Sequence, residues 1–197
     1  MSRHNTSDEY KKEHMEKLGP DLGPVYHALW NEFAWLQIKW QEYRELFGTN
    51  PERIDLINSA ASLFFYVVQN TLWDDILVHL CRLTDPPESH GKSNLSIKIF
   101  PSFLINGLDL YNEVNDLIAK ADEATKFARD WRNRHISHLD RALALDKLAQ
   151  PLAAASRAQI SDALSAIHAV FNKISERLLN STLGTEVITP VDGAENL

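Results

Sequence analysis

Tyr26-His27-Ala28-Leu29-Trp30-Asn31-Glu32-Phe33-Ala34-Trp35-Leu36-Gln37-Ile38-Lys39-Trp40-Gln41-Glu42-Tyr43 is the stretch that decides the fold class. Its large apolar residues, Tyr26, Leu29, Trp30, Phe33, Leu36, Trp40 and Tyr43, recur at spacings of three and four. That is the period of one helical face, so the spacing predicts an amphipathic helix over Pro20 to Phe47 with Gly48 as its stop. Trp30, Trp35 and Trp40 read as core or dimer interface, because too little positive charge lies beside them for a base-stacking platform.

Working outward, the same period recurs and alternating strand patterns are nearly absent. Ser7 to Leu18 reads as a charged, mobile lead-in helix. Asn50-Pro51-Glu52 opens a helix with proline in its first turn, running to about Leu83. Its length and broad apolar circumference mark it as the buried central helix. Asp85-Pro86-Pro87-Glu88-Ser89-His90-Gly91-Lys92 breaks the chain, and a short helix is expected to end near Pro101. Helical pattern resumes at about Leu108 to Ala121, Glu123 to Leu145 and Ser156 to Leu179. The expected architecture is all-α, an antiparallel up-and-down bundle of four long helices plus shorter ones. Residues 1–19 form the lead-in, 20–183 the bundle and 184–197 an extended or disordered tail.

The chain's 197 residues carry 44% hydrophobic and 24% charged side chains, a balance suited to a packed core. A net charge of −7 disfavours a protein that coats nucleic acid by bulk charge, yet allows an enzyme touching RNA at one small basic site. The single cysteine, Cys81, excludes an intramolecular disulfide and a cysteine-based zinc knuckle, and its apolar surroundings make it a buried hydrophobe. No apolar leader or membrane-length apolar run is visible, so a cytoplasmic location and no membrane association are expected. Asp75 and His79, beside Trp73-Asp74, have a one-turn spacing compatible with metal. The paired Glu-x-x-His motifs of di-metal bundles are absent, and neither metal nor cofactor is expected. Asp75, Arg82 and Asp85 read instead as candidate partners for Arg132 or His138. No phosphate-cradling glycine loop occurs.

The chemistry concentrates in Arg132-Asn133-Arg134-His135-Ile136-Ser137-His138. On an ideal helix with Phe127 at zero, His138 falls at about 20°, Trp131 at about 40° and His135 at about 80°, within one apolar stripe. Arg132 lies at about 140°, on the edge of that stripe, whereas Asn133 and Asp140 point roughly the other way. Arg134 and Arg141 fall at about 340° and about 320°, where each is a solvated charge or an aid to RNA binding. Two inward histidines beside a cation suit an anion: arginine offers a planar fork to phosphate, and histidine exchanges protons near neutral pH. The alternative is a pair of core histidines satisfied by neighbouring helices.

Arg132-Asn133, four residues and His138 match the Arg-Asn-x-x-x-x-His signature of HEPN domains, and the chain resembles the abortive-infection, AbiU-like branch of that class. Leu80-Cys81-Arg82-Leu83-Thr84-Asp85, Asn94-Leu95-Ser96-Ile97 and Trp131 to Asp140 carry the likeness, which covers roughly residues 20 to 180. The resemblance implies a metal-independent endoribonuclease, a phage-defence or toxin-like effector with a composite site at a homodimer interface. Arg132, Asn133 and His138 would be catalytic, with Arg134, His135 and Arg141 in support; a neutralising partner would be unknown. Some toxins of the class carry a modifiable tyrosine two residues after the histidine; here Asp140 stands there. A catalytically silent module binding RNA, a nucleotide or a partner protein is the alternative. A third reading is a structural dimer with Arg132 and His138 in buried hydrogen bonds.

Overall fold

Helix starts and stops are set by a few residues with special backbone chemistry. The computed structural model describes residues 7–48, 50–89, 91–146, 148–183 and 193–194. Helix α1 spans Ser7–Phe47 and is two helices joined at Gly19, whose φ of 81° only glycine adopts without strain. Pro20 follows in the first turn of the second part, where its missing N–H costs nothing. Gly48 N–H donates to the Arg44 carbonyl as α1 ends. Helix α2, Pro51–Thr84, opens on Asn50, whose Oδ1 accepts from Arg53 N–H at 3.1 Å. It kinks at Ala61, where the backbone is extended (φ −163°, ψ 68°).

A two-residue hairpin, β1 (Glu88–Ser89) with β2 (Lys92–Ser93), occupies the expected break. A 3-10 helix follows over Ile97–Phe103 with Pro101 inside it. Helix α3 spans Leu108–Ala124, α4 Lys126–Trp131, α5 Arg141–Leu145 and α6 Arg157–Ile174, with a π turn over Ser175–Leu179 after α6. Helix α6 begins with a reciprocal capping box between Ser156 and Gln159. The fold is all-α and consistent with a HEPN-like helical bundle, the small hairpin aside. Among the described residues no helix is long and apolar enough to cross a membrane.

The chain divides into two compact units. The first draws its described residues from Met1–Phe33, Arg82–Thr125 and Ser156–Thr185. Here α3 packs on α6, and Tyr26, Phe33 and Phe100 surround Phe171, all fully buried or nearly so. The Tyr26 hydroxyl donates to the Phe171 carbonyl at 3.3 Å, and burial pushes its phenol well above the ordinary tyrosine range. The lead-in helix is docked: His14 is buried with its Nδ1 3.3 Å from that of His27. A Cβ on Gly23 would lie 2.8 Å from the His14 carbonyl oxygen, so glycine permits this close approach.

The second unit draws on Ala34–Cys81, Lys126–Ala155 and Glu186–Leu197. Trp40 stacks on Tyr43, which meets Trp73, and Arg53 clasps the Glu45 carbonyl and carboxylate. Trp40 is buried and Trp35 exposed, so the tryptophan set is only partly core. Cys81 is buried, as its surroundings predict. The expected burial of α2 holds from Ile76 onward; Leu56, Leu63, Phe64, Tyr66 and Val67 are exposed instead. Periodicity identifies an apolar face but not what covers it. Most of the expected C-terminal tail, residues 184–192 and 195–197, lies outside the described residues.

Candidate functional site

The continuous helix expected over Glu123 to Leu145 is instead broken three times. Helix α3 ends at Thr125, whose hydroxyl donates to the Ala121 carbonyl, and α4 runs only to Trp131. Arg132–Ile136 then forms a π turn closed by Ser137 N–H on the Arg132 carbonyl at 2.8 Å. A π turn inserts one extra residue, which rotates everything after it by about 100°. Ser137 to Asp140 leave the helix altogether before α5 begins.

The inward placement of the two histidines on one continuous helix does not hold. His135 and His138 are both exposed. His135 packs edge-on against Trp131, with ring centroids 5.6 Å apart. His138 has no hydrogen-bond or ion-pair partner among the described residues, so neither a satisfied core histidine nor a buried structural bond describes it. Arg132 is half-buried, and its Nε donates to the exposed Asn133 Oδ1 at 3.2 Å, tying the two signature side chains together. Arg141 is exposed at the start of α5.

Arg134 does not face outward for RNA; it fastens the loop after α5 to α4. Its Nη2 donates to the Gln150 carbonyl at 2.6 Å and its Nη1 to the Pro151 carbonyl at 3.3 Å. The same guanidinium pairs with Asp130 at 3.4 Å and Asp140 at 3.5 Å. Asp130 also accepts from Ala153 N–H at 2.7 Å, and Trp131 Nε1 donates to the Ala153 carbonyl at 2.8 Å. Asp140 caps α5 by accepting from Leu143 N–H at 3.0 Å. That backbone bond, with Arg134 in support, holds its carboxyl below the usual range. Asp130 and Trp131 escape sequence reasoning because their partners are backbone groups of a loop. Asp140 three residues before Leu143 is a cap signal that foretells the break.

Asp75 pairs with Lys39 at 2.5 Å and Arg82 with Glu32 at 2.8 Å. Asp74 also lies near the motif: partial burial pushes its carboxyl above its ordinary range, and the nearby His135 opposes that shift. Among the described residues no group of three or more His, Cys, Asp or Glu could hold a metal ion.

Residues 126–141 carry five Lys or Arg against two Asp, and both Asp are engaged by Arg134. This is a locally cationic segment in a chain of net charge −7. It presents an exposed imidazole on a short, anchored loop beside an arginine–asparagine pair, a set able to exchange a proton and bind an anion. The family model HEPN_AbiU2, described as AbiU2, matches residues 20–197. No curated protein and no solved structure matches the chain.

Proposed function

The chain belongs to the HEPN_AbiU2 family, and from that membership and the geometry of residues 132–138 we propose that it is a metal-independent endoribonuclease whose site is completed by a second copy. The observation that carries this reading is His138: exposed, unpartnered among the described residues, and held six residues from Arg132 between the π-turn bond and the Asp140 cap. A histidine that stabilises the fold would be buried or bonded.

The chemistry follows from the side chains. His138 accepts the proton of a ribose 2′-hydroxyl as that oxygen attacks the adjacent phosphate, or donates a proton to the departing oxygen. Arg132 neutralises the charge gathering on the phosphate oxygens, and Asn133 orients it through their mutual hydrogen bond. Attack and departure lie at opposite ends of an in-line displacement, so one imidazole does not serve both, whereas a two-fold pair supplies two. Arg141 and His135 line the approach for RNA, and Arg134 acts as a positioning residue. No cofactor takes part. A phage-defence or toxin-like role in the cytoplasm fits such an activity, with its RNA target and any neutralising partner to be identified.

The test is cleavage of RNA by the purified full chain in EDTA. Cleavage lost in His138→Ala supports the assignment; cleavage absent in the parent, or surviving that substitution, refutes it. The Arg132–Asn133 bond favours one alternative, because it turns the two signature side chains toward each other. A silent module would bind RNA, a nucleotide or a partner protein without turnover, and lose binding in Arg132→Ala.

A further inference from the structure

The first half of α2 presents a surface that the function above leaves without a purpose. Leu56, Leu63, Phe64, Tyr66 and Val67 are exposed, from 53% at Leu56 to 74% at Leu63. The surrounding run from Leu56 to Trp73 holds no Asp, Glu, Lys or Arg, although charged side chains make up 24% of the chain. Beyond the kink at Ala61 the exposed residues share one arc. With Leu63 at zero, Val67 falls at about 40°, Asn70 at about 340°, Phe64 at about 100° and Tyr66 at about 300°. Asp74 falls at about 20°, in line with the same stripe, and lies near His135.

We propose that this face of α2 is the seat of a second copy of the chain, packed about a two-fold axis so that its edge brings the two Arg132–His138 segments together. The inference rests on the composite-site reading, and it names the surface that reading requires.

Three features select this occupant. A two-fold interface sets each patch against itself, so any charge near its centre would meet its own kind; a run without charges avoids that repulsion. Nucleic acid would need cations along the face, and an anionic membrane surface would need flanking lysines or arginines. The run is instead followed by Asp74 and Asp75. The four side chains beyond the kink, at about 200 Å² each and about three-fifths exposed, offer at most roughly 500 Å² per copy. Two copies would bury up to about 1,000 Å², the threshold for a specific interface.

Sedimentation velocity on the full chain at ~10 µM tests the surface without RNA. The parent is expected to be a dimer, and Leu63→Glu with Val67→Glu a monomer, its dissociation constant raised by at least ~100-fold. These side chains are exposed in the single chain, so the circular dichroism spectrum should stay the parent's, while the melt falls only by the stabilisation that association supplies. A second route needs no disruptive change: Leu63→Cys should give covalent dimers with a flexible bis-maleimide, and Ser165→Cys on α6 should not. A monomeric parent, a double variant that remains dimeric, or equal cross-linking at both positions overturns the proposal. A monomeric double variant that still cleaves RNA supports this surface while refuting the composite site. A dimeric variant refutes the surface and leaves the ribonuclease reading standing.

Discussion

Replacing Arg134 by alanine separates positioning from chemistry in this site. Its guanidinium donates a short bond to the Gln150 carbonyl at 2.6 Å and a longer one to Pro151 at 3.3 Å. It also makes two wide ion pairs, to Asp130 and Asp140, with its side chain 22% exposed. A charged donor on a carbonyl contributes about 1.5–3 kcal/mol, and partly exposed pairs of this length add well under 1 kcal/mol. Asp130 keeps Ala153 N–H and Asp140 keeps Leu143 N–H after the change, so neither acid is stranded. The net loss should be about 2 kcal/mol, or a melting temperature lowered by about 4–8 °C at this chain length. Arg134→Lys should recover less than half, because one ammonium cannot span both carbonyls and both carboxylates. RNA cleavage in EDTA should fall about 10–100-fold, in kcat more than KM, as the His138 loop loses its anchor. A thermal melt of Arg134→Ala within about 1 °C of the parent would refute this reasoning.

Other substitutions probe other links. His138→Ala removes an exposed imidazole without a partner among the described residues, so its melting temperature should change by under about 1 °C while cleavage disappears; a large destabilisation would show a structural role. Gly23→Ala sets a Cβ 2.8 Å from backbone atoms of His14 and Met15, which cannot rotate away. It should cost about 1–3 kcal/mol and expose residues 7–18 to proteolysis, and an unchanged digest would contradict the close approach. Ser156→Ala removes the α6 capping box and should cost about 1 kcal/mol in urea unfolding. For pH, burial and the adjacent His27 lower the His14 pKa below its ordinary 6.5. The unfolded chain then takes up the proton first, so His14 contributes stability above about pH 6.5 that is lost as pH falls toward its folded value. The parent's melting temperature should therefore drop between pH 7 and about 5 more than that of His14→Asn. Equal drops would dissociate the pair from acid sensitivity.

What the sequence discloses here depends on whether a signal is local. Gly19-Pro20, Asn50-Pro51 and Ser156-x-x-Gln159 each fix a helix boundary through the chemistry of a few adjacent residues, and each boundary falls where that chemistry directs. The signature itself is equally local. Its presentation is not: Trp131 to Leu145 contains no Gly or Pro, and its apolar period continues through the π turn. The deciding partners, Gln150, Pro151 and Ala153, lie on a loop that no periodicity places. The docking of the lead-in helix is hidden for the same reason. Its charged residues suggest a solvated segment, but the buried member is His14, and only the facing Gly23 and His27 show why. Nor does an apolar pattern distinguish a face covered by the same chain from one left exposed, as Leu63 and Val67 are.

These discrepancies share a physical sense. A catalytic imidazole must be open to its substrate and yet fixed in place, and an ideal helix facing the core supplies only the second. The π turn rotates His138 outward, at the cost of the ordinary hydrogen-bond ladder after Arg132. The Asp140 cap and the Arg134 buckle then hold the released segment at both ends. Those holding residues, one arginine against two aspartates, leave one negative charge over, so they add no positive field at the surface. On the ribonuclease reading, the positive charge offered to a phosphate comes from Arg132 and Arg141, within a molecule of net charge −7. On that reading the site favours one bound phosphate over bulk nucleic acid, and raising the salt should weaken binding with the shallow slope of a few contacts.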